Sequence, residues 1–178
     1  MARQYPKEQG AQFEIWTARY LATVLDDDRI VRARLHGRRD EGDVAGVRYR
    51  GRRVVIECKS EKQARLWQYL DEADREAGNA DALMGAVVIK VPGYGERRMG
   101  SQLVAVRKRT FEDVFGPKEA EISAGLFKPS ELQEYVSGEW AGYFKTVSKR
   151  GDPMERAVLM SLRQFAGELV GGTMFLAL

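Results

Sequence analysis

The hydrophobic pattern at the start of the chain predicts a helix. Between Pro6 and Leu25, apolar side chains recur every three to four residues, which is typical of an amphipathic helix. Glu14 lies beside this stripe and not on the opposite face of the helix. The stripe itself consists of Phe13, Trp16, Tyr20, Leu21 and Val24.

Alternating and continuous apolar segments further along the chain predict a sheet. Ile30–Leu35 alternates apolar residues with arginine, as a strand does. Asp43–Val47 and Arg53–Lys59 are two short strands at hairpin spacing, with a glycine in the turn between them. Ala82–Val91 is apolar and suits a central strand, and Gln102–Val106 is a further strand.

Helix signals occur between these strands. Ser60 is a candidate N-cap of a second helix, and Gly78 is a candidate C′ residue just past the end of that helix. Thr110, with Asp113 three residues later, predicts the start of another helix. The expected fold class is therefore α/β, with a central mixed β-sheet flanked by helices.

The chain after Gly116 has a weaker pattern. Glu131–Val136 is predicted to be helical and Tyr143–Val147 to be a strand. Ala157–Met160 is either a strand followed by a helix capped at Ser161, or part of one helix that begins at Met154.

We accordingly divide the chain into a core at residues 1–115 and a C-terminal α+β extension at residues 116–178. We expect the extension to complete the fold or to form a dimer interface.

Composition limits the class of protein. A chain of 178 residues, 44% hydrophobic and 31% charged, is expected to form one domain with a packed core. It has no apolar run of about 18 residues and no secretory pattern at its start, so we expect a cytoplasmic protein without a membrane partner. Cys58 and His36 are single, which excludes an internal disulfide, a Cys/His zinc site and chemistry that requires two histidines.

Arginine is concentrated in one window, although the net charge is only +3. Nine arginines lie between residues 29 and 53, with only three acidic residues among them. A second basic group comprises Arg97, Arg98, Arg107, Lys108 and Arg109. Guanidinium groups match phosphate geometry, so these clusters indicate nucleic acid, with ordinary solvated faces as the alternative.

The candidate catalytic residues lie at the end of the predicted strand Arg53–Lys59. Side chains alternate along a strand, so Glu57 and Lys59 share one face, and pairing with the preceding strand brings Asp43 beside Glu57. Burying such charges costs several kcal/mol each unless they are paired, for example by a divalent metal. Hard oxygen ligands favour Mg²⁺ or Mn²⁺ over zinc. The alternative is a surface ion pair on an edge strand.

This order of residues resembles the PD-(D/E)xK nuclease superfamily. The motif comprises Asp43 and Glu57-Cys58-Lys59, with Glu14 on the preceding helix, although a glycine and not a proline precedes Asp43. Two further patterns are similar to archaeal-type Holliday-junction resolvases and to resolvase-like endonucleases of actinobacterial phages. They are Lys7, Gly10, Phe13 and Glu14 in the first helix, and Trp67, Glu72, Glu76 and Ala80 followed by the strand Gly85–Lys90.

The resemblance implies a restriction-endonuclease-like core and a metal-dependent phosphodiester hydrolase that leaves 5′-phosphates. Asp43, Glu57 and the main-chain carbonyl of Cys58 would bind Mg²⁺ or Mn²⁺, without a small-molecule cofactor. Glu14 would bind a second metal or a metal-bound water. Lys59 would orient or deprotonate the attacking water.

The expected partner is DNA, in particular a four-way junction, cut in the cytoplasm of a bacterial host if the protein is phage-encoded. Because a junction has two-fold symmetry, we expect a homodimer. A same-fold nuclease for linear, flap or restriction-type DNA and a non-catalytic DNA-binding protein stay open as alternatives. The candidate DNA contacts are His36, Arg38, Arg39, Arg52, Arg53, Arg97 and Arg98.

Overall fold

The computed structural model describes residues 6–33, 42–61, 65–118, 120–123 and 144–171 of the chain. The helices are α1 (Pro6–Leu25), α2 (Leu66–Asn79), α3 (Lys108–Phe115) and α4 (Leu162–Val170), with a 3₁₀ helix at Glu96–Ser101. The first five strands are β1 (Val31–Arg32), β2 (Val44–Ala45), β3 (Arg48–Tyr49), β4 (Arg52–Lys59) and β5 (Met84–Ile89). The others are β6 (Leu103–Arg107), β7 (Ala120–Ser123), β8 (Phe144–Lys149) and β9 (Asp152–Ser161).

The protein is α/β, with a mixed, open sheet flanked by helices. Eight strands follow the order β1-β2-β4-β5-β6-β9-β8-β7, and β3 pairs with the start of β4. The β4–β5 and β7–β8 pairs are parallel, and the other pairs are antiparallel. Since β8 and β9 belong to the same sheet as β4, the described residues beyond 116 continue the sheet of the first part.

Strand register defines one end of the sheet, which we name the carboxyl end. Lys59 at the end of β4 is level with Ile89 at the end of β5. The first residue of β6, Leu103, pairs with Ile89 on one side and with Ser161, the last residue of β9, on the other. The carboxyl end therefore contains the last residues of β4, β5 and β9 and the first residue of β6.

The two faces of the sheet each bury a separate hydrophobic cluster, as side-chain alternation requires. On the α1 face the cluster includes Phe13, Ile56, Val88, Phe111 and Phe165. On the α2 face it includes Tyr69, Leu70, Val87, Leu103 and Leu159.

The predicted start of the second helix at Ser60 is wrong, because α2 begins at Leu66. The N–H of Lys90 donates to the carbonyl oxygen of Lys59 at 2.8 Å, so sheet pairing continues past β4 and keeps the chain extended there. Gly78 lies within the last turn, because the helix runs to Asn79. Ser60 therefore belongs to the end of the sheet and not to the helix.

Two other predicted boundaries also differ. The helix expected to start at Thr110 begins at Lys108, directly after β6. The strand expected at Asp43–Val47 is interrupted at Gly46: β2 precedes it, and β3 begins after it at Arg48. The chain then turns at Arg50–Gly51 into β4.

The structure confirms a strand followed by a helix near the end of the described chain, and it excludes one helix from Met154. Ser161 caps α4: its hydroxyl accepts the N–H of Gln164 at 3.2 Å, and the Gln164 side chain accepts the N–H of Ser161 at 2.8 Å. The predicted strand at Tyr143–Val147 corresponds to β8. The predicted helix at Glu131–Val136 lies outside the described residues.

None of the helices in the described ranges is long and apolar enough to cross a membrane.

Close packing of α2 on β5 leads to a first prediction. A Cβ atom at Gly85 would lie 2.4 Å from the carbonyl oxygen of Ala73, whereas one at Gly78 would meet no atom within 4 Å. We expect Gly85→Ala to destabilise the fold by about 1–3 kcal/mol through overpacking. Gly78→Ala, the matched control, should stabilise it by about 0.5–1 kcal/mol through helix propensity.

Urea unfolding of both variants measures the two free energies. Equal stabilities of Gly85→Ala and Gly78→Ala would contradict the described packing of α2 against β5.

Candidate functional site

Asp43 is fixed beside the end of β4 by two hydrogen bonds. Its N–H donates to the carbonyl oxygen of Ile56 at 2.8 Å. Its Oδ2 accepts a hydrogen bond from the N–H of Cys58 at 2.7 Å. The carboxylate thus accepts the N–H that would otherwise pair with a carbonyl oxygen of a neighbouring strand. The residue before it, Gly42, has φ +91°, and a Cβ there would lie 2.9 Å from the Val55 side chain. This backbone conformation is closed to proline, which explains the glycine at this motif position.

Glu57 and Lys59 lie on the same face of β4, as alternation predicts. The Lys59 Nζ lies 2.6 Å from Glu57 Oε1 and 2.7 Å from Glu72 Oε2. Glu57 is 8% exposed. Because β4 lies between β2 and β5, the pair is not on an edge strand, and the alternative of a surface ion pair on such a strand is excluded.

Helix α2 brings two more carboxylates to this cluster. Glu76 is buried, and its side chain hydrogen bonds with the Glu57 carboxyl group. Glu72 lies one turn earlier on the same helix face and holds the other side of Lys59. Both residues belong to the pattern that carries the family resemblance, but that resemblance gives them no role in the site. The feature of the sequence that could have indicated them is the i,i+4 spacing of two acidic residues on the helix that follows Lys59.

Burial dominates the electrostatics of the carboxyl groups. Desolvation raises the pKa of Glu57 to about 8; the neighbouring Glu76 adds to this rise and Lys59 opposes it. Desolvation and the charge of Glu57 raise the pKa of Asp43 to about 7, against the stabilising N–H of Cys58. Both carboxyl groups therefore carry a proton more readily than they would in water.

Lys59 has the opposite balance. Burial disfavours its charge, but the hydrogen bonds to Glu57 and Glu72 outweigh burial and raise its pKa above the ordinary value for lysine. Its Nζ also lies 5.4 Å from the ring centroid of Tyr69. Lys59 is therefore a fixed cation at neutral pH.

Glu14 lies at the border of this cluster. Its Oε2 accepts a hydrogen bond from Arg32 Nε at 2.6 Å. A Cβ at Gly10 would lie 4.0 Å from Glu14 and 3.9 Å from the Ser60 hydroxyl, which places the start of α1 beside the end of β4. The charge of Glu14 contributes to the raised pKa of Asp43.

Cys58 presents its side chain to the other face of the sheet. The thiol packs against the hydrophobic cluster on the α1 face, and burial raises its pKa. The role of its main-chain carbonyl as a ligand stays a prediction.

The donor set fits a hard divalent cation. Asp43 and Glu57 offer carboxylate oxygens whose negative charge is disfavoured by burial, and a cation would compensate that charge. Within the described ranges no group of three or more His, Cys, Asp or Glu is placed to hold a metal ion. Mg²⁺ is commonly bound by one or two carboxylates together with water and substrate phosphates, so two carboxylates suffice.

The structure separates the predicted DNA contacts. Arg52 and Arg53 begin β4, and the six residue steps from Arg53 to Lys59 span about 20 Å of extended chain. Arg97 and Arg98 lie in the 3₁₀ helix at the carboxyl end. His36, Arg38 and Arg39 lie outside the described residues.

The second basic group is also divided, because β6 runs between its parts. Arg97 and Arg98 precede that strand at the carboxyl end. Arg107 is the last residue of the strand at its other end, and Lys108 and Arg109 follow it.

Comparisons of the chain with protein-family models, with curated proteins and with solved structures find no match. Membership of the PD-(D/E)xK superfamily therefore stays a prediction. It rests on the order and placement of Glu14, Asp43, Glu57 and Lys59.

The raised pKa values predict a pH-dependent stability. Above about pH 5 the unfolded chain has released both protons, whereas the folded state retains the Asp43 proton up to about pH 7 and the Glu57 proton up to about pH 8. The free energy of unfolding in EDTA should therefore fall as pH rises, by up to about 1.4 kcal/mol per pH unit for each such carboxyl. Urea unfolding at pH 5, 6, 7 and 8 measures this slope.

Asp43→Asn should make the decline shallower, because it removes one of the two titrating groups. Glu112→Gln on α3 is the matched control and should retain the decline that Asp43 and Glu57 produce. A wild-type stability that is flat or rises across this range would contradict the described burial of the carboxyl groups.

Proposed function

We propose that this protein is a divalent-metal-dependent DNA endonuclease of the PD-(D/E)xK superfamily that acts on four-way junctions. The observation that supports this most is the grouping of Asp43, Glu57 and Lys59 at the end of an interior strand. Two shielded carboxylates with a fixed cation beside them are suited to hydrolysis of a phosphodiester bond.

Asp43 and Glu57 would hold Mg²⁺ or Mn²⁺ through their carboxylate oxygens. When bound, such an ion lowers the pKa of water and neutralises charge on the phosphate. Glu76 hydrogen bonds with Glu57 and so restricts the orientation of that carboxyl group. Glu14, two turns into α1, would contribute a further carboxylate at the border of the site.

Lys59 would act as a cation and a hydrogen-bond donor. Its raised pKa keeps the ammonium charged, which favours orienting the water or stabilising the phosphoryl oxygens over removing a proton. Glu72 and Glu57 hold the ammonium from two sides, so its position is set before substrate binds.

The four-way junction is proposed from the family resemblance and from symmetry. Two symmetric cuts require two equivalent sites, which a homodimer with an isologous interface supplies. The 5′-phosphate product follows from the same resemblance.

Cleavage assays test this proposal. An immobile four-way junction and the matching linear duplex are incubated with Mg²⁺ or with EDTA. We expect paired symmetric nicks with 5′-phosphates in the junction only, and no product in EDTA. Lys59→Ala should lower the rate by about 10²–10³-fold, since one transition-state donor is lost. Lys108→Ala, a lysine paired with Glu112 at the opposite end of β6, is the matched control and should cut normally.

Each other outcome selects an alternative. Equal cutting of the duplex would retain the endonuclease and reject the junction as its specific substrate. Junction binding without cleavage in any divalent metal would reject catalysis and favour a DNA-binding protein.

A further inference from the structure

Three cations extend the carboxyl end of the sheet beyond the candidate site. Lys90 directly follows β5, and its N–H is bonded to Lys59. Arg98 lies in the 3₁₀ helix between β5 and β6, and Arg163 lies in the first turn of α4, just after β9. Strand register alone therefore gathers these residues at the same end of the sheet as Lys59. We name Lys90, Arg98 and Arg163 the cationic surface.

An aromatic residue supports each member of the cationic surface. The Lys90 Nζ lies 5.7 Å from the ring centroid of Trp16, and the Arg98 Cζ lies 4.9 Å from that of Tyr94. Arg163 donates a hydrogen bond to the hydroxyl of Tyr20, one turn after Trp16 on α1. Such contacts restrict the positions of long side chains without neutralising their charge.

Several arginines outside the cationic surface are already neutralised by carboxylates. Arg29 is bonded to Asp27, Arg32 to Glu14, and Arg107 to Asp71, Asp74 and Glu155. By contrast, no carboxylate of the described ranges lies within 4.0 Å of the charged groups of the cationic surface.

A carboxylate close to Arg98 in sequence, Glu96, forms an ion pair with Arg19, with 3.6 Å between the charged atoms. A phosphate could therefore approach Lys90, Arg98 and Arg163 without displacing a carboxylate from any of them.

We propose that the cationic surface binds the sugar–phosphate backbone of a DNA segment next to the strand held at the candidate site. This inference rests on the proposed function for the identity of the nucleic acid. Arginine forks match phosphate oxygens, and cations held by aromatic residues lose little further entropy when they bind. The cationic surface lies beside α1, because Lys90 contacts Trp16 and Arg163 contacts Tyr20. DNA bound to it would therefore extend from the candidate site along α1.

Salt-dependent binding tests the cationic surface. Fluorescence anisotropy with a labelled four-way junction and a labelled duplex, in EDTA, gives affinities from 50 to 200 mM NaCl. The double variant Arg98→Gln/Arg163→Gln should lose about two units of slope in log K against log salt. Between these salt concentrations the wild type should therefore lose about tenfold more affinity than the variant does.

Two controls separate charge from structure. Arg109→Gln/Arg150→Gln removes the same charge from exposed arginines on α3 and at the β8–β9 turn, and should leave the slope unchanged. Arg98→Lys/Arg163→Lys keeps the charge and should retain most of the slope. Thermal unfolding followed by circular dichroism checks that all variants fold.

The outcomes distinguish this inference from the proposed function. An unchanged slope in Arg98→Gln/Arg163→Gln, or an equal loss in the control pair, would overturn the cationic surface even if the wild type cuts DNA. The predicted loss of slope in a protein that cuts neither DNA would support the surface and reject the catalysis. No binding of either DNA at micromolar protein would overturn both.

Discussion

The burial of carboxylates around one lysine is the constraint on which the candidate site depends. Glu57 is nearly inaccessible to water, and Glu76 is hydrogen bonded to it from α2. Without Lys59 these groups would bring acidic charge into a poorly solvated region with no cation to balance it. The ammonium resolves this by bonding to Glu57 and Glu72 together. The same ion pairs fix the distance between α2 and the end of β4, so fold and site depend on one interaction.

Strand topology then determines what surrounds the site. The parallel pair of β4 and β5 places Lys59 and Ile89 level with one another, and antiparallel β6 and β9 bring the 3₁₀ helix and α4 to the same end. Basic residues that are close in sequence are separated by this arrangement. Arg53 and Lys59 occupy opposite ends of one strand, whereas Lys59 and Arg163 share an end of the sheet. Charge density along the chain is therefore a poor guide to charge density on the surface.

Much of the fold follows from local patterns. The apolar stripe of α1 predicts its bounds. The pattern around Ser161 allows either a helix that starts there or one that begins at Met154, and the structure selects the first. Alternation along β4 predicts that Glu57 and Lys59 share a face, because that property depends on strand geometry alone.

Features set by tertiary contacts were not predictable in this way. Ser60 has the chemistry of a helix cap, but pairing between Lys59 and Lys90 keeps the chain in the sheet. Glu72 and Glu76 appear in sequence as an ordinary acidic helix face, and only the placement of α2 against β4 reveals their contacts with the site. The pairing of Glu14 with Arg32 likewise depends on how α1 lies against β1.

The central claim is that Asp43 and Glu57 form a divalent-cation site. Electron paramagnetic resonance of Mn²⁺ titrated with the protein tests this claim without DNA and without turnover. We predict binding in the wild type, strong weakening in both Asp43→Asn and Glu57→Gln, and normal binding in Glu112→Gln. Equal binding in the wild type and in these two site variants, or no binding by the wild type at millimolar Mn²⁺, would contradict the claim.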